Sequence, residues 1–165
     1  NNDPLWVQYF LRDIFRCAQF LDLPFGWPSP DPVVMDMATR KYLKDQPYIY
    51  RLTQLGQAAT EAGRGLAFLD EVSRTIWSGE VKGWHEGDHL AKAAERAGLS
   101  LAELDAKIIA NQGHYDDAIK ASQHAQREGG HYGVPLMLFD GEPFFGQDRL
   151  DQMKWRMEQK GLTRR

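Results

Sequence analysis

The chain has 165 residues, 42% of them apolar and 26% charged, an ordinary size and composition for one soluble globular domain. A net charge of −3 and a pI near 6.0 exclude the basic stripe that a nucleic-acid-binding surface needs, and no run of about 18 apolar residues exists to span a membrane. Cys17 is the single cysteine, which excludes a disulfide framework and a Cys-based zinc site; with no signal peptide visible, this fits a reducing, cytoplasmic setting.

The chain starts Asn1-Asn2-Asp3, without an initiator Met. It runs straight into a helical pattern, as expected of a processed chain or a piece of a longer one. Asp3 reads as an N-cap with Pro4 at the first helical position. From there to Asp22 one face carries Trp6, Phe10, Ile14, Cys17 and Leu21, the spacing of a helix with one buried side. Residues 24–32 hold four prolines and a glycine, which forbids helix or central strand; Phe25 and Trp27 are expected to pin this loop to the body. A second helix is predicted from near Pro47, with Ile49, Leu52, Leu55 and Ala59 inward and Gly63 as its stop. A third follows, with Phe68, Leu69, Val72, Ile76 and Trp77 inward. Ser78 to Gly87 is turn-like. A short helix is predicted over 88–97, stopped by Gly98.

Ser100 and Glu103 form a capping box, and Leu99 with Leu104 the accompanying hydrophobic staple, for a helix to about Asn111. The next helix spans His114 to about Arg127 and ends at Gly129-Gly130. Two apolar runs, 134–139 and 142–145, then flank Asp140-Gly141, a strong hairpin signal. Asp148 reads as the N-cap of a last helix that ends at Gly161. The expectation is therefore about seven helices and one hairpin, with the hairpin left in need of a neighbour, because an isolated two-stranded hairpin is marginal in water.

The ending Gly133-Val134-Pro135, then Asp140-Gly141-Glu142-Pro143-Phe144-Phe145-Gly146-Gln147-Asp148-Arg149-Leu150, resembles the last third of a thioredoxin-like fold. More narrowly, it resembles the DsbA-like branch that holds 2-hydroxychromene-2-carboxylate isomerases and kappa-class glutathione transferases. The likeness extends upstream through Tyr9, Asp13 and Arg16, the Leu23-Pro24-Phe25 stretch and a Pro-rich loop. The implied architecture is α/β: a thioredoxin-like fold with a large all-α insertion. Residues 1–130 are the helical, inserted part with its connecting helix, and 131–165 are the C-terminal part of the thioredoxin-like domain. In such proteins the chain opens with a strand-helix-strand unit that carries a Ser or Cys nucleophile or thiol-activating residue. Nothing here matches that unit, so by resemblance on the order of fifty residues are missing in front, and the catalytic residue is expected in them.

Read from residues alone, Val134-Pro135 is a trans proline opening an edge strand. The resemblance implies instead a cis bond, with the Val134 backbone turned toward a site where the cysteinyl backbone of glutathione pairs as a short extra strand. Gln147 and Asp148, at a helix start, offer free N–H groups to the γ-glutamyl carboxylate, and the Asp148 carboxylate can accept from its ammonium while also serving as an N-cap. Arg149 is expected to pair with a surface acid. The resemblance also places Asn2 near the site, after the second strand of the family.

Cys17, on the apolar face of its helix with no Cys-x-x-Cys partner, reads as a small buried hydrophobe. His85 and His89 have His-x-x-x-His spacing, but Gly87 breaks the helix and only Asp88 stands by as a further ligand, so no metal site is expected. His114, His124 and His131 read as surface or capping groups, and Trp77 and Trp84 as core or as the wall of an aromatic pocket. The resemblance implies a glutathione-dependent isomerase or transferase acting on an unsaturated aromatic or related small molecule, as a homodimer, with no nucleic-acid or membrane partner. The alternatives are a DsbA-like thiol-disulfide oxidoreductase and a non-catalytic helical dimer lacking the active unit.

Overall fold

The computed structural model describes residues 3–36, 38–39 and 41–163. Among them are seven α-helices: α1 (Pro4–Phe20), α2 (Ile49–Glu61), α3 (Gly65–Trp77), α4 (His89–Arg96), α5 (Leu101–Ala110), α6 (Gln112–Glu128) and α7 (Leu150–Gln159). Four short strands, β1 (Met35–Asp36), β2 (Lys41–Tyr42), β3 (Leu136–Phe139) and β4 (Glu142–Phe145), form two separate antiparallel pairs. None of the helices is both long and apolar enough to cross a membrane. The chain divides into two compact units, 1–115 and 116–165, with the division inside α6.

In the first unit, local signals set the helix ends. The Asp3 side chain accepts from Leu5 N at 2.9 Å, and Ser100 Oγ from Glu103 N at 3.4 Å, so both orphan donors are capped as the sequence suggests. Gly63 and Gly98 follow α2 and α4 at φ +72° and +75°, the left-handed conformation that ends a helix at little cost for glycine. Leu55, Ala58 and Ala59 of α2, Phe68, Val72 and Ile76 of α3, and Ala93 and Ala94 of α4 are buried together with Leu104, Ile108 and Tyr115. The small alanines let these helices approach closely. Leu69, expected inward, is instead 61% exposed: the stripe that α3 buries runs Phe68–Val72–Thr75–Ile76, and Leu69 falls beside it. Likewise α1 has no buried residue, and Trp6 and Phe10 on its expected inner face are exposed.

The Pro-rich loop is pinned as its aromatics predict. Phe25 stacks on Trp77 and lies edge-on to Phe15 and Trp27. Gly26 N donates to Trp77 O at 2.8 Å, and Gly83 N to Ser29 O at 2.7 Å. Trp84, 1% exposed, sends its indole N–H to Pro30 O at 2.7 Å, which makes it a core residue. Gly26 and Gly79 touch backbone to backbone; a Cβ on Gly26 would meet Gly79 Cα at 2.5 Å. The small β1–β2 ladder has no sequence signal, being two residues per strand; Gln46 steadies it by bonding the N–H and C=O of Val34 at 2.8 and 2.7 Å.

In the second unit, β3 and β4 pair Leu136 with Phe145 through Phe139 with Glu142. Asp140 and Gly141 turn the hairpin at φ +54° and +78°, the two positive values of a type I′ turn, whose twist matches the strands. Phe144 is its buried residue. Two ion pairs tie the hairpin to α7: Glu142 to Arg156 at 2.7 Å and Asp140 to Lys160 at 2.8 Å. No third strand joins β3–β4 among the described residues.

Candidate functional site

The expected binding residues lie at one end of the hairpin. Val134–Pro135 is cis, as the resemblance implied. Ser29–Pro30 is cis too, which the sequence did not announce. Val134 is 78% exposed and precedes the first rung of the ladder; among the described residues none bonds its N–H or C=O. Gly146 N donates to Pro135 O at 3.0 Å, extending the ladder by one bond. That bond sets Val134-Pro135 beside Gln147-Asp148, residues thirteen positions apart in sequence. Asn2 lies outside the described residues.

The helix start differs from expectation. Residues Gln147–Arg149 form one 3-10 turn entered from Gly146, and α7 begins at Leu150 with Arg149 as its cap residue. Asp148 therefore makes no side-chain cap. Its carboxylate instead accepts from Arg149 Nη1 at 2.8 Å, so the surface acid that Arg149 finds is its own neighbour. The other face of Asp148 folds over Gly146, where a Cβ would meet Oδ1 at 2.5 Å. A 3-10 turn still leaves backbone N–H groups pointing out of its first turn.

His131 and Gly133 are support that the sequence reading missed. The His131 ring stacks on Phe145 with centroids 3.8 Å apart, and its Nδ1 accepts from Gly133 N at 2.8 Å. Accepting there puts the neutral ring's proton on Nε2. Gln126 of α6 holds the next stretch, donating to Tyr132 O and Gly133 O at 3.2 and 2.8 Å. Gly133 lies under the Phe145 ring, where a Cβ has no room. The signal available in the sequence was the small residue directly before Val134-Pro135; its aromatic neighbour in space is twelve residues on.

The other candidates fall elsewhere. Cys17 is half-buried, and its Sγ donates to Asp13 Oδ2 at 3.8 Å. His85 packs against Tyr48 and Trp84, and its Nδ1 is buried without a partner among the described residues. His114 bonds Glu61 at 2.8 Å, and His124 pairs with Glu128 at 3.4 Å. The Gln57 and His114 contacts hold the Glu61 carboxyl below its ordinary range.

The profile of DSBA-like thioredoxin domains matches residues 1–158. The fold is similar to a solved structure of 2-hydroxychromene-2-carboxylate isomerase, with a TM-score of 0.62 and 18% identity over 94% of this chain and 68% of that one. No curated protein matches the sequence significantly. At that identity the structural likeness speaks for the fold.

Proposed function

The chain belongs to the DsbA-like thioredoxin-domain family, and from that premise we propose that it is a cytoplasmic, homodimeric, glutathione-dependent isomerase or transferase of the 2-hydroxychromene-2-carboxylate isomerase type. Its substrate in this reading is an unsaturated aromatic or related small molecule. The observation that carries the reading is the Gly146 N to Pro135 O bond, which brings the exposed Val134, its backbone unpaired among the described residues, next to the Gln147-Asp148 turn.

The residues present fit glutathione. The Val134 N–H and C=O suit an extended peptide backbone, which adds to a strand end through main-chain hydrogen bonds. The N–H groups of Gln147 and Asp148, ahead of the Arg149 N–H that donates to Gly146 O, suit a carboxylate. Asp148 suits an ammonium, which would share or replace its Arg149 partner. His131 and Gln126 keep the 131–134 stretch in place and so orient Val134. Held by Val134, Gln147 and Asp148, glutathione would supply a thiolate nucleophile for the isomerisation.

Isothermal titration of the full-length protein with glutathione tests this. Binding in the millimolar range or tighter is expected, with Asp148→Ala weakening it about tenfold through loss of a charge-assisted bond. Absence of binding at millimolar ligand overturns the reading. A thiol-disulfide oxidoreductase is the alternative that the family also accommodates. Reduction of insulin disulfides by the full-length protein, without glutathione, would favour that alternative over the first reading.

A further inference from the structure

The first unit contains a cleft of about 520 Å³ between α2, α3 and the end of the Pro-rich loop. Sites for small ligands span roughly 300–1,000 Å³ and are mostly apolar with a few polar groups, which describes this one. Ile49 and Leu52 of α2 form one wall, and Phe68, Val72, Ile76 and Trp77 of α3 the other. The polar lining is Asp31, Thr53 and Ser73, and among the described residues the lining contains no Lys, Arg or His.

We propose that this cleft binds an uncharged, hydroxylated aromatic molecule, independently of glutathione. The aromatic body follows from the Phe68 and Trp77 rings and the aliphatic walls, which reward a flat apolar ligand. The hydroxyl follows from the state of the polar groups. Thr53 already donates its proton to Ile49 O at 2.7 Å, which leaves its oxygen to accept. Asp31 spends Oδ1 on Val33 N at 2.9 Å, which leaves Oδ2 to accept. The Ser73 hydroxyl can accept as well as donate, so all three polar groups of the lining can receive a donor such as a phenol O–H. The absence of charge follows from the same lining: an aromatic carboxylate would meet Asp31 with no cation among the described lining residues to offset the repulsion and desolvation.

Gly56 gives the means to test it. It lies in α2 at the cleft, and a Cβ built on it meets nothing within 4 Å. A side chain there grows into the cleft, while replacing a mid-helix glycine favours the helix. The probes are 2-naphthol and 2-naphthoate, titrated calorimetrically into the protein without glutathione. Binding of 2-naphthol in the micromolar to submillimolar range is expected, with 2-naphthoate about tenfold weaker or worse. Gly56→Leu should weaken 2-naphthol about tenfold or more, whereas Gly113→Leu, at an open helical site in α6, should not. Ser73→Leu blocks the cleft from the facing helix and repeats the experiment should Gly56→Leu not fold by circular dichroism. The proposal is overturned by no naphthol binding at about 1 mM, by naphthoate binding as tightly, or by blocked variants that bind like the parent. A blocked variant that alters only the sedimentation of the protein, with no naphthol binding to the parent, also overturns it and assigns the cleft to a second copy.

Discussion

Gly146 stands at φ +98° and ψ 150°, a conformation open in practice only to glycine. It also faces the Asp148 carboxylate, and its own N–H makes the bond to Pro135 that joins the two halves of the candidate site. Gly146→Ala therefore combines backbone strain with a displaced Asp148. It should destabilise the second unit by about 1–3 kcal/mol and weaken glutathione binding further than Asp148→Ala does, because Val134 loses its register as well. Chemical denaturation followed by the same titration separates the effects; a variant as stable as the parent would show that the turn relaxes without that bond. At this scale the sequence was partly legible. A residue flanked by a proline-led strand and an acidic turn marked where to look. The stacking of His131 on Phe145, and Asp148 pairing with Arg149 rather than capping a helix, depend on rotamers and three-dimensional neighbours that no spacing rule encodes.

Among the elements, the hairpin and α7 show what local chemistry settles. The Asp140-Gly141 turn, the Ser100 cap and the glycine stops were readable because each is decided within four or five residues. The β1–β2 ladder was not, because two residues per strand leave no alternation to read, and neither was the exposed Leu69, which packing between helices decides. The Asp140–Lys160 contact spans the hairpin turn and the end of α7, and it holds the Asp140 carboxyl below its ordinary value of 3.8 through a side-chain hydrogen bond and the lysine's charge. A carboxyl lowered in the folded state adds stability above its unfolded value and loses it as pH falls through the folded one. The contact should therefore persist from neutral pH past the ordinary aspartate value and be released only as pH falls through the lower folded-state one. Carbon-detected NMR of the Asp140 carboxyl should follow a midpoint below that of an unstructured aspartate, and Lys160→Ala should restore the ordinary value. Both groups are exposed, so raised salt should weaken the contact.

For the whole molecule, the distribution of buried residues is more telling than their number. Nearly all of the buried apolar side chains belong to α2–α5 and their surroundings, whereas Phe144 is the buried residue of the second unit. Local stability tracks burial and backbone protection. The candidate glutathione residues thus sit on the less protected part of the chain, and the α2–α3 cleft on the more protected one. Native-state hydrogen exchange should find the slowest amides in α2–α5 and much faster ones in β3, β4 and α7. A ligand stabilises what it binds by an amount that grows with its concentration over its dissociation constant. Glutathione should therefore slow exchange around 133–149 and leave α2 and α3 unchanged, while 2-naphthol should do the reverse. Protection of both regions by one ligand would mean that the two sites are coupled, and would merge the two readings into one.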